Sequence, residues 1–146
     1  MAAKRKGCVV TVALAVGVLV LIVFGFVRAL TPRDVSKEDP ETVFRDFVCD
    51  PMPTAVSAVK ASGGIAFAGG NVVVDFSIED WDRGTLLRQG KFSEPDKHDS
   101  EWIAPNDPFG NEGGSTAYVR RVQGMSQIAL YLDKNSNRAR LQYISY

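Results

Sequence analysis

Asp133-x-Asn135-x-Asn137 places three side-chain oxygens at alternate positions, which is how a calcium-binding loop opens. Such a loop needs glycine at its sixth position to turn and a bidentate glutamate at its twelfth. Here those positions hold Arg138 and Ile144, and the flanks alternate apolar and polar residues like strands. The segment reads as a hairpin turn, with Asp133, Asn135 and Asn137 as the alternative metal set, and no cofactor is expected. His98, the single histidine, sits among Asp96, Asp99 and Glu101. A carboxylate beside an imidazole raises its pKa and makes a proton donor or a metal ligand. One functional reading is therefore a small secreted or anchored hydrolase built on this acidic loop, with metal as an option. Cys49 would serve it as a nucleophile only if the fold brings the two together. Asp80 and Asp82 resemble an acid/base pair, yet helix starts collect acids through their dipole. Gly63-Gly64, Gly69-Gly70 and Gly113-Gly114 lack the Lys-Ser/Thr of a phosphate loop and read as turns.

The other reading is binding without catalysis. Trp102 and Phe109 lie in a stretch rich in Pro, Asn and Gly, and both offer large contact areas. Arg120 and Arg121, with Arg138 and Arg140, add a basic stripe. Trp102, Phe109, Arg120 and Arg121 are thus the candidate partner-binding residues. The competing role for the two aromatics is a lid folded back over a sheet, and for the charges, protection of an exposed strand.

These residues need a scaffold. Asp39 as N-cap with Pro40 behind it starts a short helix, and Val43, Phe44, Phe47 and Val48 form its apolar face before Asp50-Pro51. Ala55 to Ala61 alternates weakly, and Ile65, Phe67 and Val72 to Ile78 read as strands, with Gly69-Gly70-Asn71 as their turn. A second helix is predicted from Glu79 or Asp80 to Gln89, with Trp81, Leu86 and Leu87 on its buried side and Gly90 at its end. Residues 93–116 read as irregular. Strands at Thr116 to Val122, Gln127 to Leu132 and Arg138 to Tyr146 close the chain. Clustered strands with inserted helices predict an α+β domain, an antiparallel sheet of five to six strands with two helices on one face.

The chain begins differently. Cys8 to Val27 is a run of 20 uncharged residues, preceded by Lys4, Arg5 and Lys6 and ended by Arg28. A bilayer core of about 30 Å needs roughly 20 apolar residues of helix. The basic cluster before the run keeps the N-terminus inside. This predicts a cytoplasmic N-terminus over 1–7, a single-pass transmembrane signal anchor over 8–28 in the lipid bilayer, a tether over 29–39, and an extracytoplasmic domain over 40–146. The expected partner is a protein or component of the cell envelope. Cleavage near Ala29, which would give a secreted domain, is the alternative; its apolar core is usually shorter, about 7–15 residues, and Arg28 sits awkwardly in the Val27-Arg28-Ala29 site. A lipobox cysteine would follow the apolar run, whereas Cys8 precedes it. Ala13, Gly17, Leu21 and Gly25 share one helix face, a spacing that permits close helix packing in lipid.

Of 17 Lys/Arg residues, Lys4, Arg5, Lys6 and Arg28 lie at the apolar run, while all 17 Asp/Glu lie beyond residue 29, so residues 29–146 carry a net −4. An acidic domain of this kind has no footprint for nucleic acid. With Cys8 at the cytoplasmic edge of the span, Cys49 has no intramolecular partner. The domain is held by its core, and Cys49 reads as a small buried hydrophobe, with intermolecular pairing as the alternative.

Overall fold

The computed structural model describes residues 3–66, 69–110, 114–122 and 126–145, and side chains for 14–27, 31–66, 69–110, 114–122 and 127–145. It divides into two units, Met1–Pro32 and Arg33–Tyr146. In the first, α1 runs from Ala3 to Leu30, and every described side chain on it, Leu14 to Val27, is exposed. Among the described residues no helix is long and apolar enough to cross a membrane. The side chains of Lys4, Arg5, Lys6, Cys8, Ala13 and Arg28 lie outside the described residues. Of the predicted packing face Gly17, Leu21 and Gly25 remain, and a Cβ added at either glycine meets nothing within 4 Å.

In the second unit, Asp39 accepts from the Thr42 N–H at 3.0 Å and Pro40 fills the first helical position, so α2 (Pro40–Phe47) starts as its sequence requires. The remaining elements are β1 (Arg33–Asp34), β2 (Val56–Ala66), β3 (Gly69–Ile78), α3 (Asp80–Gln89), α4 (Lys97–Ile103), β4 (Ser115–Arg121), β5 (Ser126–Asp133) and β6 (Arg138–Ser145). The strands form one antiparallel sheet in the order β1-β2-β3-β6-β5-β4. With α1, the described chain is α+β: six antiparallel strands and four helices.

Alternation along β5 divides the core. Ile128, Leu130 and Leu132 face α2 and α3, joining Phe44, Phe47, Leu86, Val72, Val74 and Leu141 in the larger cluster. Ala129 and Tyr131 face the other way, where Ile103 and Phe109 cover them. Two helices therefore share one face as predicted, and a third covers part of the second. That third helix takes up residues 97–103 of the stretch expected to be irregular over 93–116. Asp96 and Asp99 cap α4 reciprocally, each carboxylate accepting the other's backbone N–H, and Ile103 anchors it.

Three further expectations change. Residues 33–38, whose polarity predicts a tether, belong to the domain: Arg33 and Asp34 pair with Ile65 and Gly64, and Val35 is fully buried. Trp81 is 73% exposed, and the inward face of α3 carries Asp82 in its place beside Leu86, which is buried as expected. Gly63, Gly64, Gly69 and Gly70 lie within the β2–β3 ladder, not in turns. Gly63 is held at φ +97°, and a Cβ there would sit 2.1 Å from the Asn71 carbonyl oxygen, so the ladder admits only glycine at this point. Gly113 and residues 67–68 lie outside the described residues.

Candidate functional site

Strand β4 sends Arg120 toward the α2/α3 face, opposite Ile128, and Arg121 toward the other. Arg120 is half-buried and has no carboxylate partner among the described residues. Its guanidinium donates instead to three backbone carbonyls, Val48 O at 2.8 Å, Gly90 O at 3.3 Å and Phe47 O. The ends of α2 and α3 leave these oxygens without helical donors, and their dipoles favour a cation there. The ring of Phe92 lies under the guanidinium, 5.1 Å away. Burial lowers the Arg120 pKa below its ordinary value.

Around this cation the domain opens into a hollow of about 530 Å³. Phe47, Ile128 and Tyr143 give it an apolar floor, and Arg45, Lys91 and Arg121 stand on its rim with Asp46 and Asp50. A smaller hollow, about 260 Å³, lies on the opposite side of β4 between Trp102, His98, Arg121 and Gln127. Of the four residues expected to bind a partner, the structure therefore brings Trp102, Arg120 and Arg121 together around the end of β4. Phe109 is apart. Its ring is buried in the second cluster under the Arg138 guanidinium at 5.1 Å, which is the lid role.

Lys91 was not legible as a site residue. It occupies a left-handed conformation, φ +55°, just past the end of α3. The Phe92 N–H bonds Leu87 O at 2.9 Å and the Lys91 N–H bonds Arg88 O at 3.2 Å, the paired bonds of a Schellman motif. Glycine normally takes the left-handed place, yet here Gly90 precedes it, because a Cβ at position 90 would lie 2.4 Å from the Phe92 ring. Lys91→Gly should stabilise the domain by about 1 kcal/mol by removing the left-handed penalty; urea melts of the two proteins check this.

The catalytic candidates are not assembled. Cys49 is buried beneath α2 and α3, and burial pushes its thiol up to about 11, with Arg120 opposing. Its Sγ faces Pro51 O at 3.7 Å and Gln89 Oε1 at 3.9 Å. His98 stands on α4, its side chain 89% exposed and 4.0 Å from Glu101. The two belong to opposite faces of the sheet. Asp80 pairs with Arg83 in solvent, while Asp82 is buried.

Asp133 forms the structural heart of the β5–β6 turn. Its carboxylate accepts from Ser136 Oγ at 2.6 Å, the Asn135 N–H at 2.9 Å and Arg138 at 2.8 Å, while Asn137 donates to Glu79. Those bonds, that of Ser136 first, hold its pKa down at about 2. Among the described residues no group of three or more His, Cys, Asp or Glu side chains is placed to hold a metal ion. Because the folded carboxylate titrates below its ordinary value of about 3.9, its stabilisation is full above pH 4 and fades as pH falls from about 4 toward 2. Asp133→Asn should therefore lower the melting temperature most above pH 5, and the gap to the native protein should shrink toward pH 2.

Fold and site together define a small α+β domain with an open, cation-rimmed groove at one end of its sheet. Compared with known proteins, the chain matches no family, and it is similar to no curated protein or solved structure.

Proposed function

We propose that the protein is a single-pass, membrane-anchored binding domain, with its N-terminus in the cytoplasm and its α+β domain on the outer side, acting without catalysis on an envelope component. The observation that carries this is α1. Leu14, Leu19, Leu21, Ile22, Phe24 and Phe26 are each more than 60% exposed, and they lie on all sides of the helix. A helix apolar all round belongs in lipid, and the uncharged run containing these residues is 20 long with basic residues before it. Binding is supported by the groove beside Arg120, and against catalysis stand the burial of Cys49 and its separation from the exposed His98 on the other face of the sheet.

The test is to express the full chain with a C-terminal tag, fractionate the cells and weigh the product. An intact mass in the membrane pellet, with the tag cut by protease only when added from the outer side, is expected. A soluble product lacking about its first 29 residues, as signal-peptide cleavage would leave, would overturn the anchor in favour of a secreted domain.

A further inference from the structure

We propose that the Arg120 groove takes the phosphate headgroup of an anionic lipid from the same bilayer that holds α1, which rests on the anchored reading above. The register of the sheet carries the argument. Arg33, the first residue of the domain, pairs with Ile65, and one row across the sheet then runs through Gly70, Ser145, Ser126 and Gln127 to Arg121. The chain thus enters the domain at the end of the sheet where the groove lies. Only four residues, 29–32, join Arg28 to Arg33.

The groove's chemistry suits a headgroup. Arg45, Lys91, Arg120 and Arg121 line it against Asp46 and Asp50, a cationic site on an acidic domain. Arg33 holds Asp46 at 2.6 Å. Arg45 rests 3.6 Å from Glu41 and Arg121 pairs with Asp96, both pairs solvent-exposed and hence weak enough to yield to a phosphate, while the Asp99 carboxylate that also meets Arg121 is largely covered. Lys91 has no ion pair among the described residues and reaches the rim from a strained backbone. Val122, 43% exposed beside them, adds an apolar contact suited to the headgroup boundary.

Amide exchange of the full chain in nanodiscs of phosphatidylcholine, and of phosphatidylcholine with 30% phosphatidylglycerol, tests the proposal. Segments 88–92 and 118–122 should exchange at least fivefold more slowly in the anionic discs, with segment 79–83 at the far end unchanged. Lys91→Gly, which keeps the fold, should cut that ratio about fivefold, the factor for one cation at an anionic surface. Equal exchange in the two discs, with the chain still in both, would overturn the headgroup and leave the anchor standing. A chain that leaves the discs would overturn both. Equal protection in neutral discs from glycerol phosphate, or from a glutamate-rich peptide, would transfer the groove to a soluble phosphate or a protein partner and overturn the lipid.

Discussion

Arg120→Met is expected to lower the stability of the folded domain by about 3 kcal/mol. Methionine fills the space of the arginine stem, so packing is largely kept. What is lost is the donor set for Phe47 O, Val48 O and Gly90 O, which ties the ends of α2 and α3 to β4. A bond from a charged donor contributes about 1.5–3 kcal/mol. Three such bonds would exceed the figure given, but the groove admits water, which recovers part of each. In urea the midpoint should fall while the slope stays constant, since the surface exposed on unfolding hardly changes. Arg120→Lys separates charge from geometry: an ammonium keeps the cation but lacks the planar fork, and about half the loss should remain. A loss under 1 kcal/mol for Arg120→Met would mean that water already holds these carbonyls.

Arg120 also shows where sequence reading stops. Its alternation within β4 and its pairing opposite Ile128 follow from a period of two. Its acceptors lie 72, 73 and 30 residues away on the main chain, and backbone oxygens carry no residue type to recognise. The groove is therefore hidden, though Arg120 and Arg121 themselves stand out. Local signals fare better. Asp39-Pro40 specifies the start of α2, and the turn residues between β5 and β6 specify that hairpin. The reciprocal caps Asp96 and Asp99 were equally local, but seven polar-rich residues around His98 offer little apolar periodicity to read as a helix. Trp81 misleads for a different reason. Residues 82, 86 and 89 share one face of α3, and Trp81 is about 100° away from it. Hydrophobicity alone argues for an inward ring, whereas the helical period turns Asp82 and Leu86 inward.

Val35 is the case where a single apolar residue outweighs its polar surroundings, and Val35→Asp should turn the segment back into the tether its composition suggests. A lone valine between Asp34 and Ser36 gives no periodicity, yet in the fold it is fully buried and contacts the larger cluster. Arg33 reinforces it, donating to Glu38 at 2.8 and 2.6 Å and to Asp46 at 2.6 Å while lying over the Phe47 ring. The hydrogen bonds to Glu38 and then Asp46 raise the Arg33 pKa, and Arg33 in turn lowers that of Glu38. A buried, unpaired carboxylate costs several kcal/mol, more than the segment gains by docking. The cheaper course is for residues 33–38 to peel away. The loss is then capped at the docking energy: about 2 kcal/mol for the valine side chain and up to about 1 kcal/mol for the exposed ion pairs, roughly 3 kcal/mol together. Amides of residues 64 and 65, which β1 covers, should exchange faster while those of β3, β5 and β6 keep their protection. Proteolysis near residue 35, slow in the native protein, should become fast. Global unfolding of Val35→Asp, with exchange accelerated in every strand, would show instead that β1 and its turn are integral to the core and that the domain has no stable form without them.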